Sequence, residues 1–459
     1  MRRTAVLVSV ALATLAAAAT LALRGRGNDP STGKAAVSHG GAGPLRISAQ
    51  LDRAFISELG GGEAYLEVDV HAEGRAEAGA RVPVNAVLIL DRSGSMTGEK
   101  LARAKDAARE LLGSLNGDDR FALIEFGSNA RVLVPSMAGT PAARENALAL
   151  VSGLRADGGT NISDALEVAA PQLAAGRAPG RVDKVFLASD GQANEGVSAR
   201  PALLEVARRA LAGNTTVSTF GVGHDYDEDL MTSLAAQAGG LTHYIRSSEQ
   251  LAPAFHAELR RASTAVARNV RLVVHPAAGA RVVKVIGYES DGGWVRLPDF
   301  AAGERRRVLV KLQLPAGRGS AELARVELSF QDAQGGPLAC AAPVEATFTA
   351  DQRLADKADA PAAFQGARAE IAVLADEAAR FASMGRKDEA AFRVRKMADL
   401  KAAGLRAAKK PAERAQIESE ERGYSALIGS IAESPAGAPA APPAKEAKQK
   451  AFDAIRSAY

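Results

Sequence analysis

Cysteine is nearly missing from this chain: Cys340 is the single one in 459 residues. No intramolecular disulfide can form, so stability has to come from packed cores. Aromatic residues are also scarce, at 4%, which argues against a stacking surface for single-stranded nucleic acid. Charge of one sign is not in excess either, the formal net charge being +4. Much of the Lys and Arg lies in the C-terminal third, interleaved with Asp and Glu, as on solvated helix faces rather than in a phosphate-binding patch. No nucleic-acid partner is expected. The six histidines are scattered and neither H-E-x-x-H nor G-x-S-x-G occurs, so zinc and hydrolase chemistry have little support. Gly94 and Gly98 in "GSMTGEK" are wrongly spaced for a phosphate-binding loop. With no base or nucleophile in evidence, the chain is not expected to be an enzyme.

Only the N-terminus carries a long apolar run. "MRR" precedes "TAVLVSVALATLAAAATLAL", a basic start followed by an uncharged apolar stretch, which is the pattern of an export signal. Ala5 to Leu15 has signal-peptide length and "LAAAAT" offers small residues for a peptidase. The whole run to Leu23 is also just long enough for a single membrane anchor. Residues 1–26 are therefore expected to be a signal peptide or an anchor. Either way the rest is expected outside the cytoplasm, in the periplasm or at the cell surface, with the inner membrane as the place of an uncleaved anchor.

Periodicity divides the remainder of the chain. Residues 27–43 have linker composition, and residues 44–83 alternate apolar and polar positions, as half-buried strands do. From residue 84 short apolar runs such as "NAVLIL", "RFALIEF" and "DKVFLAS" alternate with helical spacing. One example is the stripe Leu101, Ala104, Ala108, Leu111 and Leu115. Residues 84–263 thus predict an α/β domain with a doubly wound, mostly parallel sheet. "FALIEFGSNARVLVPS" should be a hairpin that puts one antiparallel strand at the sheet edge. Residues 264–350 read as strands and turns again. The strands before residue 84 are too few to make a core alone, so they are expected to pair with the later ones. The α/β domain would then be inserted in a β-sandwich. Residues 360–433 are Ala-rich and helical, with stripes at Phe364, Ile371, Leu374, Ala378 and Phe381 and at Ile417, Tyr424, Leu427, Ile428 and Ile431. Those stripes are expected to pack on each other as an antiparallel hairpin. Residues 434–459 are a Pro/Ala linker and a short tail helix.

Chemistry concentrates where apolar strands end. In "VLILDRSGSM" Asp91, Ser93 and Ser95 bring one carboxylate and two hydroxyls to a tight loop that turns at Gly94. "DGGTNISDAL" sets Thr160 after a Gly pair and before a helix, and "VFLASDGQANEG" ends a strand in Asp190. Ligands of open α/β sheets bind beyond the carboxyl ends of strands. These five are hard oxygen donors, suited to Mg²⁺, Mn²⁺ or Ca²⁺ and poorly to zinc. Each alone is also the sort of residue that caps a helix or a turn; their joint occurrence is what points to a metal. Farther on, "HDYDEDLM" offers either a second cation site or, with Asp227 as N-cap, an ordinary helix start.

D-x-S-x-S after a first strand, a later Thr in a Gly-rich loop and a strand-terminal "SDG" resemble the von Willebrand factor type A domain over residues 84 to about 262. The region after it resembles, more weakly, the β-rich part of exported bacterial members and of inter-alpha-trypsin-inhibitor heavy chains. The resemblance implies a Rossmann-like sheet with a metal-ion-dependent adhesion site at Asp91, Ser93, Ser95, Thr160 and Asp190. Only two of the five are charged, so a divalent ion would be just neutralised and would keep a coordination position for an incoming group. The expected function is cation-dependent protein binding, to a partner that presents an Asp or Glu carboxylate. The alternative is a subunit that docks on a membrane or ATPase machine.

Overall fold

A computed structural model describes residues 35–433 apart from 74–80, 191–192, 212, 223–225, 246–249, 289–293, 384 and 409. The N-terminal apolar run and the tail after residue 433 lie outside the described residues. Among the described residues no helix is long and apolar enough to cross a membrane.

The chain opens with β1 (Ser38–Ala42), β2 (Leu45–Leu51), β3 (Phe55–Ser57) and β4 (Glu63–Ala72). Next comes a domain built from β5 (Val84–Asp91), α1 (Glu99–Gly113), β6 (Arg120–Phe126), β7 (Ala130–Ala138), α2 (Pro141–Ser152), α3 (Ile162–Gly176), β8 (Val182–Ser189), α4 (Arg200–Ala210), β9 (Thr216–Val222), α5 (Glu228–Gln237), β10 (Thr242–Ile245) and α6 (Leu251–Ser263). Its sheet has the order β10-β9-β8-β5-β6-β7. Every pairing is parallel except β6 with β7, the antiparallel hairpin at the edge.

Both faces of that sheet are covered, which is why β5 is apolar nearly throughout and buried at every position. Ala86, Leu88 and Leu90 pack with Leu101, Leu111 and Leu112 of α1 and with Leu251, Phe255 and Leu259 of α6. Val87 and Ile89 face the other way, onto Ile162, Leu166 and Leu173 of α3, Leu203 of α4 and Leu230 of α5. Asp227 caps α5 by accepting from the Leu230 N–H at 2.9 Å. That leaves it engaged as an ordinary N-cap.

The last strands are β11 (Ala265–Pro276), β12 (Arg281–Val285), β13 (Trp294–Arg296), β14 (Phe300–Ala301), β15 (Arg305–Gln313), β16 (Ser320–Asp332) and β17 (Pro337–Thr349). β4 lies between β2 and β15, antiparallel to both, and β3 adds in parallel to β17. Each of the two sandwich sheets therefore combines strands from before and after the α/β domain. Leu45, Ile47, Leu66 and Val68 share one core with Leu272, Val308, Val326 and Val344.

Two expectations need correction. Residues 38–42, assigned to a linker, form β1 and pair with β2. Their "SHGGA" has no apolar alternation because β1 passes close to β17: a Cβ at Gly40 would sit 2.2 Å from the Ala341 carbonyl oxygen. The C-terminal region is also not a two-helix hairpin. After the short α7 (Gln352–Ala355) it has three long helices, α8 (Ala360–Ser383), α9 (Lys387–Ala407) and α10 (Pro411–Glu433). Phe364, Ile371 and Ala378 do share a core with Ile417, Tyr424 and Ile428, but Met397 of α9 is buried with them. The bundle rests on the sandwich through Gly366, where a Cβ would meet Tyr65 at 2.6 Å, and through the Lys311–Glu370 ion pair at 3.0 Å.

Candidate metal centre

The chain passes from β5 to β6 on one side and, after β7, crosses back to β8 on the other side of β5, so the carboxyl end of β5 is the switch point of the sheet. Asp91 is the last residue of β5 and is fully buried. One of its oxygens accepts the Ser93 N–H at 2.7 Å and the other accepts the Ser189 hydroxyl. The loop then makes a 3₁₀ turn over Gly94–Met96, anchored by the fully buried Met96. Gly98, at φ +81°, lets the chain swing into α1.

From Asp91 a line of oxygens runs outward. The Ser93 and Ser95 hydroxyls are 3.1 Å apart, and the Ser95 hydroxyl donates to Asp190 at 2.9 Å. Asp91, Ser93 and Asp190 are buried while Ser95 is exposed, so the line opens to solvent at Ser95. The structure thus brings Asp91, Ser93, Ser95 and Asp190 into one hydrogen-bonded set. Thr160 belongs to the adjoining loop, which is tied to the first by the Gly94 N–H on the Gly158 carbonyl at 2.9 Å and the Asp157 N–H on the Arg92 carbonyl at 2.7 Å. The Thr160 N–H donates to the Asn194 side chain at 2.8 Å, linking this loop to the one after Asp190. Ser128 completes the brace, accepting from the Gly159 N–H at 2.8 Å and donating to Glu195 at 2.9 Å. Gly159 has no room for a side chain, since a Cβ would lie 2.1 Å from a Glu195 carboxylate oxygen.

Burial pushes the Asp91 carboxyl up to about 6, and the neighbouring charge of Asp190 adds to this, against the hydrogen bonds from Ser189 and Ser93. A buried carboxylate held this unfavourably is relieved by a proton or by a cation. Among the described residues no three His, Cys, Asp or Glu side chains gather as a metal-binding group. A metal here would rely on hydroxyl oxygens beside the two carboxylates, and that donor set fits a hard divalent ion.

Sequence reasoning missed Lys100, Ser189, Asn194, Ser128 and Glu195. Lys100, in the first turn of α1, places its ammonium 2.9 Å from the second Asp190 oxygen. The expectation that a divalent ion would be just neutralised omits this charge. Ser189, directly before Asp190, had a signal of position alone. The other three act through loop-to-loop bonds that spacing does not reveal.

The family model of the von Willebrand factor type A domain matches residues 85–257. That matched domain carries the site just described. Domains of this family are typically protein–protein interaction modules. Among solved structures, a von Willebrand factor type A protein from Catenulispora acidiphila superimposes with a TM-score of 0.69 at 20% identity, covering 91% of this chain and 97% of that one. The ArnB paralog VWA2 from Sulfolobus acidocaldarius gives 0.61 at 17% identity, covering 90% and 98%. These likenesses reach well beyond the sheet domain and show the fold. By sequence, the chain is 28% identical over 272 residues to YfbK of Escherichia coli K12, a match covering 57% of this chain and 47% of YfbK. It is 32% identical over 219 residues to human inter-alpha-trypsin inhibitor heavy chain H4, covering 46% of this chain and 23% of that one. The matches span about half or less of these two relatives' own lengths.

Proposed function

We propose that this chain is a non-enzymatic, exported binding protein whose von Willebrand factor type A domain captures a protein partner through a divalent ion, with Mg²⁺ as the first choice and Mn²⁺ or Ca²⁺ as substitutes. The observation that carries the reading is the hydrogen-bonded line Asp91–Ser93–Ser95–Asp190 at the sheet's switch point, buried at both ends and open to solvent at Ser95. Asp91, Ser93, Ser95, Thr160 and Asp190 would hold the ion. When bound, it would supply a Lewis-acidic position for an anionic oxygen of the partner. The chain's own part is rigidity: the bonds among the loops at 91–98, 157–161 and 194–197 fix the donors before a partner arrives. An Asp or Glu on the partner suits such a site, because a carboxylate is the hard anionic ligand a protein surface can offer.

The test is capture of extracellular or membrane proteins by the full chain in Mg²⁺, repeated in chelator and with Asp91→Ala. The expected result is capture that needs both the ion and Asp91. Equal capture in chelator would refute the reading.

A further inference from the structure

The two carboxylates of the site are not alone in their charge. Lys100 lies 2.9 Å from Asp190 Oδ2, with its side chain 28% exposed, while Asp190 Oδ1 is taken by the Ser95 hydroxyl. The position is enforced by the fold: Gly98 turns the chain, α1 starts at Glu99, and Leu101 and Ala104 seat that first turn in the core. Arg92, the other base of this loop, is directed to Glu125 at 3.5 Å and to the Asp157 carbonyl. Glu195 is engaged by Ser128. Asp91 has its two oxygens on Ser93 and Ser189. Among the described residues, Lys100 is thus the cation paired with this set, through Asp190.

We propose that Lys100 is the charge-setting residue of the site, weakening the hold on a divalent ion alone and strengthening the joint hold on an ion plus a carboxylate ligand. This rests on the metal-dependent reading above. Asp91 and Asp190 together carry two negative charges, and Lys100 leaves one of them uncompensated. A divalent ion added to that set gives an excess of one positive charge, which one incoming carboxylate cancels. Without Lys100 the same ion would already be neutralised and a further carboxylate would make the site negative. The residue therefore opposes the ion, whose positive charge it repels at short range, and favours the acidic partner through the same charge. By linkage, the partner's carboxylate must raise ion affinity by the factor that the ion raises affinity for the carboxylate.

The experiment uses the full chain, Mn²⁺ as probe and acetate as the simplest carboxylate. Calorimetry and the Mn²⁺ electron paramagnetic resonance signal report binding for wild type, Lys100→Gln and Lys100→Arg, with circular dichroism to compare folds. Lys100→Gln is expected to bind Mn²⁺ about tenfold more tightly than wild type. It should also lose the gain in Mn²⁺ affinity that acetate gives wild type, and Lys100→Arg should keep the wild-type pattern. A folded Lys100→Gln that binds Mn²⁺ no more tightly than wild type overturns the proposal for Lys100 alone. If neither wild type nor Lys100→Gln binds Mn²⁺, the metal-dependent reading itself falls, and this proposal with it.

Discussion

Replacing Lys184 by Met should cost the α/β domain about 3 kcal/mol, because it strands a buried carboxylate. Lys184 lies on β8 and donates to Glu258 of α6 at 2.8 Å, with side chains only 5% and 3% exposed. Burial alone would raise the Glu258 carboxyl. Lys184, with His243 and Arg261 behind it, instead holds it well below the usual 4.5. Removing one partner of a buried pair typically costs about 3–5 kcal/mol. The lower end applies here because the Ser218 hydroxyl still donates to Glu258 at 2.6 Å and His243 stays 3.3 Å away. Replacing both partners together, Lys184→Met with Glu258→Leu, leaves no stranded charge and should cost about 1–2 kcal/mol less than Lys184→Met alone. Urea unfolding of the isolated domain (residues 84–263), followed by circular dichroism, reads both values. The pH profile adds a check: a depressed carboxyl contributes stability above pH 4.5 that is lost as pH falls through the folded value, so the Lys184→Met penalty should shrink in acid. A loss below about 1 kcal/mol at pH 7, or a double variant worse than the single, would refute the claim that this pair pins α6 to the sheet.

Asp91 runs the other way. Its carboxyl rises from 3.8 to about 6 on folding, so its favourable contribution is full below pH 3.8 and is lost as pH rises through 6. In chelator the protein should therefore melt higher at pH 5 than at pH 7 relative to Asp91→Asn, by the equivalent of about 1 kcal/mol. The Asn fits because its oxygen can still accept from Ser93 and its amide can donate to Ser189; an unchanged difference between the two proteins across that range would contradict the burial argument. Mn²⁺ affinity of wild type should fall about tenfold per pH unit below 6, as protons compete for Asp91; calorimetry at pH 5 and 7 checks it. Residues 84–263 alone should fold and bind Mn²⁺ as tightly as the full chain, whereas residues 264–350 alone should not fold, since β15 would lose β4 as its neighbour. Circular dichroism of the two fragments decides, and equally good folding of both would go against the inserted arrangement.

Legibility in the sequence tracked the size of the packing signal. β5 is recognisable because both its faces are buried, and α1 because Leu101, Ala104, Ala108 and Leu111 line one stripe. α9 gave little signal, since its buried residues are Ala390, Met397 and Gly404. Its glycine matters by being small: a Cβ at 404 would lie 2.3 Å from Ile417. β1 was hidden for the same reason, a glycine needed for close approach reading as linker. At the site, donor types at fixed spacing after a strand carried Asp91, Ser93, Ser95, Thr160 and Asp190. The direction of a long side chain on the next helix carries no such spacing, and Lys100 was overlooked.

The position of the site within the inserted domain bears on how a partner would reach it. Both connections to the sandwich leave from the opposite end of the sheet: the Val82 N–H donates to the Ser263 carbonyl at 2.8 Å, just before β5 begins and just after α6 ends. β5 then runs eight residues from Val84 to Asp91, and at about 3.3 Å per residue Asp91 stands some 23 Å from that joint. The buried charges Lys184 and Glu258 lie toward the joint, near Arg261, which bonds Glu304 of the sandwich at 2.6 Å. The polar contacts that fix the domain to the sandwich and the polar contacts that shape the site therefore occupy opposite ends of one sheet. A partner can meet the Asp91 rim without disturbing the joint.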